Sequence, residues 1–253
     1  MSSSEITLAE IFAEKNYKTG IFGKWHLGDN YPSRPSDQGF QESLIHLAGG
    51  IGQVGDFTNY YAGNESYYDP ALWHNNEIKK YEGYCSDIFT DEALKFIEQN
   101  KSNQFFCYLS FNAPHTPLQV PEKYYDLYKD IDPLNFYEEV TSEMTERDVN
   151  DAKKIYGMVT NIDENFGKLL YKLEELDIKE NTIVIFLTDN GPQQTRYVSN
   201  LRGLKSQVYN GGIKVPLYFS YPKLYKKAED IDFFGAHIDC LLYTSPSPRD
   251  TAL

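Results

Sequence analysis

The stretch Thr19-Gly20-Ile21-Phe22-Gly23-Lys24-Trp25-His26-Leu27-Gly28 joins an apolar run to a cation, an aromatic ring and an imidazole that lie between two glycines. The apolar run predicts a β-strand. The residues after it are poor core material, because a lysine is almost never fully buried unless it is paired. We therefore expect a strand that ends at one wall of an anion-binding site, with Lys24 and His26 in that wall.

Helices and strands alternate along the chain. Apolar spacing predicts helices at residues 7–16, 85–99 and 149–176, and apolar runs predict strands at residues 105–111, 182–188 and 215–220. The run at 182–188 is rich in β-branched residues and predicts a central, buried strand. Residues 29–83 show little periodicity and are predicted to form a long loop at the rim of a binding site. Alternating helices and apolar strands predict an α/β fold, in which ligands bind at the carboxyl ends of the strands.

Composition excludes several classes of function. The chain has 253 residues, of which 41% are hydrophobic, enough for one sizeable core. A net charge of −13 argues against nucleic acid as a partner, since binding phosphates needs an excess of cations. No apolar run reaches the roughly 18–20 residues of a membrane helix, and residues 1–5 do not begin a signal peptide. The three cysteines are too scattered to predict a disulfide framework or a zinc site.

Three further segments contain residues that could bind a ligand or take part in catalysis. His115 lies in Ala113-Pro114-His115-Thr116-Pro117, directly after a predicted strand, and Asp189 and Asn190 lie in Thr188-Asp189-Asn190-Gly191-Pro192, after another. Lys205 follows Gly203 and Leu204. Taken alone, Asp-Asn-Gly-Pro is an ordinary turn sequence, His115 fits a plain surface loop as well as a functional one, and Lys205 fits a solvated lysine. Neighbouring carboxylate and amide oxygens also suit Ca²⁺ or Mg²⁺.

Taken in order, these motifs resemble those of the sulfatase family, close to the arylsulfatases within the alkaline phosphatase-like superfamily. The resemblance implies a three-layer α/β/α sandwich with a mostly parallel central sheet, here incomplete. It makes residues 1–240 a partial sulfatase catalytic domain and implies hydrolysis of sulfate esters by the intact parent protein. Residues 241–253, rich in Ser and Pro, are predicted to be a non-native or disordered tail.

The resemblance also implies a role for each candidate residue. Lys24 and Lys205 would bind the sulfate oxygens, and His115 would contact the bridging ester oxygen and protonate the departing alcohol. His26 would remove a proton during turnover of the covalent intermediate. Asp189 and Asn190 would help to hold a divalent cation, usually Ca²⁺, with Mg²⁺ as the alternative. The expected partner is a sulfated small molecule or glycan, and the expected location is periplasmic, secreted or lysosomal.

The nucleophile of the family is expected upstream of residue 1. In sulfatases, a Cys-x-Pro-Ser-Arg motif, whose first residue becomes formylglycine, and two adjacent metal-binding aspartates both precede the Lys-Trp-His motif. The segment Asn30-Tyr31-Pro32-Ser33-Arg34 has similar spacing, but it has asparagine at the nucleophile position and follows Lys24. We therefore expect an N-terminally truncated fragment that is nearly inert, because losing a covalent nucleophile costs roughly 10⁶ in turnover.

Two alternative functions stay open from the sequence. A phosphodiester or phosphonate ester hydrolase of the same superfamily would share the fold and the tetrahedral anion. A non-catalytic pseudoenzyme would use the same cations to bind sulfated glycans.

Overall fold

The computed structural model describes residues 5–53, 56, 66–136, 144–231 and 235–237. The α-helices within these ranges are α1 Leu8–Glu14, α2 Cys85–Gln99, α3 Glu122–Tyr125, α4 Glu146–Glu175 and α5 Asn210–Ile213. The strands are β1 Lys18–Lys24, β2 Glu42–His46, β3 Ala71–His74, β4 Glu77–Lys80, β5 Phe105–Ser110, β6 Val184–Leu187 and β7 Leu217–Ser220. The predicted tail, residues 241–253, lies outside the described residues. None of the helices in these ranges is both long and apolar enough to cross a membrane.

A five-stranded sheet with the order β4-β3-β2-β1-β5 forms the centre of the fold. Strand β1 is parallel to both of its neighbours, β2 and β5, whereas β3 is antiparallel to β2 and β4. Because β2, β1 and β5 run in one direction, their carboxyl ends lie at the same edge of the sheet. This arrangement confirms the predicted α/β fold with parallel strands at its centre.

Both faces of the sheet are covered, which gives three layers. On one face, Phe22 and Leu44 belong to a buried cluster with residues of α2 and α4. On the other face, Ile21 and Ile45 pack with Ala9 of α1 and with neighbouring aromatic residues. Successive residues of β1 and β2 thus point to opposite sides, as the pleat of a strand requires.

The three predicted helices are confirmed within a few residues of their ends. Helix α1 begins after Thr7, whose side chain forms a capping box with Glu10. Helix α4 begins at Glu146, three residues before its apolar stripe, because Thr145 and Asp148 form a second capping box. The predicted strands at 105–111 and 215–220 are confirmed as β5 and β7.

The prediction of a continuous loop at residues 29–83 is wrong in part. Strands β2, β3 and β4 lie in this region and extend the sheet. Strands β3 and β4 are joined by Asn75 and Asn76, both with positive φ, as the two central residues of a type I′ hairpin turn require. The paired asparagines were the sequence signal for this hairpin, and the short length of the strands concealed their periodicity.

The prediction of a central buried strand at residues 182–188 is also wrong. Within the described residues, β6 pairs only with β7, in a separate antiparallel sheet. One face of β6 packs on α4, where the rings of Phe186 and Phe166 are 5.4 Å apart. The other face is open, and Ile183, Ile185 and Leu187 are 54%, 44% and 38% exposed. A continuous apolar run predicts burial on both faces, but here only one face has a partner.

A polar contact fixes the register of α4 against α2. The Oδ1 atom of Asp87 on α2 accepts hydrogen bonds from the amide groups of Asn161 (2.9 Å) and Asn165 (2.7 Å) on α4. Both asparagines are completely buried. The carboxylate therefore satisfies amide donors that have no access to water.

We expect Asp87→Ala to lower the free energy of unfolding by about 2–3 kcal/mol, because it removes the acceptor of two buried amide groups. Chemical denaturation followed by circular dichroism measures the change. Asp163→Ala, on an exposed position of α4, is the matched control and should change stability by less than about 0.5 kcal/mol. Equal losses of stability in the two variants would contradict the conclusion that Asp87 satisfies the buried amide groups of α4.

Candidate active site

The close approach of β1 and β5 brings the first site residues together. Gly23 has a φ of +126°, and a Cβ atom at this position would lie 1.9 Å from the carbonyl oxygen of Ser110. The hydroxyl of Ser110 donates to the carbonyl of Lys24 (2.8 Å). Only glycine fits this contact, and it sets Lys24 beside the loop that follows β5 and carries His115.

Lys24 is half-buried at the end of β1. Burial lowers the pKa of its ammonium group, Asp189 opposes this effect, and Lys205 adds to it. These influences require the three charges to lie near one another, although they are up to 181 positions apart in the sequence. The structure therefore brings together two cations and one carboxylate that the sequence motifs assign to one site.

Backbone hydrogen bonds join the two later segments of the site. The amide of Lys205 donates to the carbonyl of Pro192 (2.8 Å), and the amide of Gly191 donates to the carbonyl of Gly212 (2.9 Å). A Cβ atom on Gly191 would lie 1.9 Å from the carbonyl oxygen of Gly211. The glycines of these loops thus allow Lys205 to be held against the segment that carries Asp189.

His115 has a defined tautomer. Its Nδ1 atom lies 2.8 Å from the carbonyl oxygen of Thr116, which can only accept, so Nδ1 carries the proton. Nε2 is then the ring nitrogen that can face a ligand. Burial lowers the pKa of His115 from its usual 6.5; the contact with Thr116 opposes this shift, and Lys24 and Lys205 add to it. The free site therefore favours a neutral imidazole at pH 7.

His26 follows the end of β1 and is exposed, with a positive φ of 52°. Its amide donates to the carbonyl of Leu47 (3.0 Å). Its ring lies against Gly49, where a Cβ atom would come within 2.7 Å of Cε1. His26 is thus held over the end of β2 and shares its edge of the sheet with Lys24.

The segment that resembles the nucleophile motif supports Trp25 in this structure. The indole Nε1 of Trp25 donates to the carbonyls of Gly28 and Ser33, both at 2.9 Å. Arg34 forms an ion pair with Asp37 (2.7 Å). Residues 30–34 therefore pack beside the Lys-Trp-His motif and fix its aromatic member.

Asp189 and Asn190 follow β6, with Asp189 exposed and Asn190 half-buried. The amide of Asn190 donates to the carbonyl of Gly191 (2.9 Å), which leaves its oxygen as the atom suited to a cation. Ca²⁺ takes about 6–8 oxygen ligands, and the described residues contain no group of three or more His, Cys, Asp or Glu placed to hold a metal. The side-chain oxygens of Asp189 and Asn190 are suitable ligands for Ca²⁺, but the described residues alone do not complete a cation site.

Three buried polar residues beneath the site were missed from the sequence. His46 lies at the end of β2, opposite Lys24 in the register, and is completely buried. Asn112 and Tyr67 are buried next to the His115 loop. The signal for His46 was its place at the end of the apolar run Leu44-Ile45, whereas Tyr67 and Asn112 had no local signal.

A comparison with protein families identifies the family of this chain. The model of the family described as Sulfatase matches residues 2–242. The chain belongs to the sulfatase family. It is 30% identical over 229 residues to an uncharacterised sulfatase of Schizosaccharomyces pombe, covering 74% of this chain and 41% of that protein. It is 28% identical to an ulvan-active sulfatase of Formosa agariphila, covering 90% of this chain and 43% of that protein.

A solved structure with a similar chain confirms the fold. The crystal structure of Ps i-CgsB in complex with k-i-k-neocarrahexaose superposes with a TM-score of 0.69 and 31% identity, over 85% of this chain and 47% of that chain. This sulfatase chain thus spans about two-fifths of the length of the curated relatives from S. pombe and F. agariphila.

We expect inorganic sulfate to raise the pKa of His115, because a bound anion favours the charged imidazolium that burial and the two lysines now disfavour. Sulfate should then bind most tightly below the pKa of the free site and progressively more weakly as the pH rises through the pKa of the bound state. Titration of the imidazole proton signals by NMR, with and without sulfate, measures both effects.

His74 is the internal control for this titration. Burial also lowers its pKa, but it lies on β3 and contacts Tyr81. Its titration should not respond to sulfate, and an equal response of both histidines would contradict a site at His115.

Proposed function

We propose that the protein that contains this chain hydrolyses sulfate esters at the edge of the sheet where β1, β2 and β5 end. The observation that supports this most directly is that Asp189 and Lys205 both influence the pKa of Lys24 and the pKa of His115, and that Lys24 also influences His115. In a chain with a net charge of −13, two lysines that lower the pKa of the same imidazole form a local positive site. Such a site suits a small tetrahedral anion.

Lys24 and Lys205 bind the non-bridging oxygens of the sulfate group in this proposal. Desolvation of Lys24 strengthens its attraction for an anion, because charges interact more strongly away from water. Negative charge moves onto these oxygens and the leaving oxygen as the ester bond breaks, so fixed cations stabilise the transition state. The ammonium groups thus contribute to rate as well as to binding.

His115 is the proposed general acid. Its Nδ1–H is fixed by the carbonyl of Thr116, so the proton that it transfers to the departing alcohol is carried on Nε2. The free site favours the neutral ring, and the bound sulfate ester raises the pKa so that Nε2 gains this proton. A histidine whose pKa moves towards neutrality on binding is suited to proton transfer at physiological pH.

His26 and the Asp189–Asn190 pair have supporting roles in the proposal. The exposed ring of His26 accepts a proton during turnover, and the two oxygens after β6 contribute to a divalent cation site for Ca²⁺ or Mg²⁺. A formylglycine residue would supply the nucleophile, as the sequence resemblance implies.

The intact protein should hydrolyse an aryl sulfate with a larger kcat/KM than the matched aryl phosphate. Lys24→Met or Lys205→Met should each lower kcat for the sulfate by about 10²–10³, by analogy with the loss of one oxyanion donor. Lys95→Met removes an exposed lysine that is paired with Glu92 on α2, and it should leave kcat unchanged. A preference for phosphate would favour the phosphodiester or phosphonate ester hydrolase, and sulfate binding without turnover would favour the pseudoenzyme.

We further propose that the substrate is a sulfated carbohydrate. A cleft of about 570 Å³ adjoins the His115 loop, and its lining residues are mostly polar: Thr116, Pro117, Leu118, Arg147, Asp148, Asp151, Lys154, Gln193, Gln194 and Thr195. Amide, hydroxyl and charged groups together suit the hydroxyl and anionic groups of a sugar. One relative is named as active on ulvan, and one structural neighbour contains a bound neocarrahexaose.

Arg147→Ala combined with Gln193→Ala should raise the KM for a sulfated oligosaccharide about tenfold or more, because the cleft would lose two groups that contact the sugar beyond the sulfate. The KM for a small aryl sulfate, which does not reach the cleft, should change less than twofold. Steady-state kinetics with both substrates on the intact protein test this. The same change in KM for both substrates would contradict a saccharide subsite in the cleft.

A further inference from the structure

We propose that His46, Asn112 and Tyr67 form a buried polar cluster that positions His115. This inference rests on the proposed function only in taking His115 as a reacting group. The three residues are 0%, 4% and 0% exposed, and none of them can reach a substrate. They are therefore positioning residues rather than catalytic ones.

The hydroxyl of Tyr67 connects the cluster to the His115 loop. It donates to the carbonyl of His115 (2.7 Å) and accepts from the amide group of Asn112 (2.6 Å). The backbone carbonyl of Asn112 accepts from the amide of His115 (2.9 Å). Both polar backbone groups of His115 are thus held by members of the cluster.

Tyr67 can donate its only hydroxyl proton to the carbonyl of His115 when the nitrogen of the Asn112 carboxamide, and not its oxygen, faces the hydroxyl. With its nitrogen towards Tyr67, Asn112 donates, and the single hydroxyl proton goes to His115. In the flipped orientation, Oδ1 would face the hydroxyl and compete with the carbonyl of His115 for that proton. A neighbouring group that pairs with Oδ1, and not with the NH2 group, must therefore hold the carboxamide of Asn112 in this orientation.

His46 supplies the group that can make this distinction. Both of its ring nitrogens and the Oδ1 atom of Asn112 are buried, and no hydrogen-bond partner lies within reach of them in the part of the chain that the structure describes. A neutral imidazole has one N–H donor, and leaving a buried donor or acceptor unsatisfied is unfavourable. Asn112 lies near enough to favour a proton on His46, so the imidazole N–H and Oδ1 are complementary groups in one buried space. Pairing of these two groups would hold the carboxamide of Asn112 in the orientation that Tyr67 requires.

Burial keeps the ring of His46 neutral, and the charge of Lys24 adds to this effect. Together with smaller influences of His115 and His26, they lower the pKa of His46 to about 3. The ring also lies beside Phe89, with 6.4 Å between the ring centroids. A neutral donor at this position orients Asn112 without adding a charge that would repel Lys24 or compete for the anion.

The test compares three substitutions in the complete 253-residue chain. His46→Phe removes the N–H, His46→Gln keeps an N–H donor, and Tyr67→Phe removes only the hydroxyl that reaches His115. The readout is hydrogen exchange of the His115 amide without any ligand, followed by NMR, with amides of β1 as the internal measure of global stability. His74→Phe is the matched control, since His74 contacts the hydroxyl of Tyr81 (2.6 Å) away from the site.

We expect His46→Phe and Tyr67→Phe to speed exchange at His115 about tenfold relative to the β1 amides, because loss of one or two kcal/mol of local stability changes the open population by that order. His46→Gln should restore exchange to within about twofold of the original, and His74→Phe should have no effect. Unchanged exchange in Tyr67→Phe would overturn the inference, and so would equal exchange in His46→Phe and His46→Gln. If His46→Phe does not fold, Tyr67→Phe alone decides.

Binding of inorganic sulfate separates this inference from the proposed function. The cluster variants should weaken sulfate binding, and His46→Gln should restore it. If the unmodified chain does not bind sulfate, the proposed anion site fails, while the exchange rates still decide whether the cluster holds His115.

Discussion

The contact between Gly23 and Ser110 is the constraint on which the site depends. Any side chain at residue 23 would overlap the backbone of β5, so the ends of β1 and β5 come close only because this residue is glycine. The parallel register then sets Lys24 opposite His46 and near the loop after Ser110. The carboxyl edge of this parallel sheet thus places the ammonium group of Lys24 beside the buried imidazole of His46 and the half-buried imidazole of His115.

The electrostatics of the site oppose those of the whole chain. Acidic residues outnumber basic ones by 37 to 24, yet the groups that face one another at the strand ends are mainly lysines and histidines. Burial disfavours the charged forms of Lys24 and His115, and repulsion from Lys205 adds to this effect for both groups. In the proposed function, the attraction of a bound anion offsets these penalties, which would couple anion binding to proton uptake at His115.

Elements with strong local signals were predictable from the sequence. The stripe of α4, the apolar run of β5 and the apolar run of β1 before the Lys-Trp-His segment each depend on residues close together in the chain, and the structure confirms all three elements. Strands β2, β3 and β4 were missed because they are four or five residues long and lie among glycines and asparagines. The cluster of His46, Asn112 and Tyr67 was missed for a different reason. The hydrogen bonds of the Tyr67 hydroxyl join residues 45 or more positions apart, and no pattern of neighbours can predict them.

The open face of the β6–β7 sheet has a consequence for the carboxylate that follows it. Ile185 and Leu187 of β6 lie opposite Phe219 and Leu217 of β7, and all four are at least 38% exposed. Asp189 comes two residues after Leu187, so its distance from Lys24 is set by where this small sheet sits. Any polypeptide that packs on the open face could therefore move Asp189 relative to Lys24 without contacting either residue.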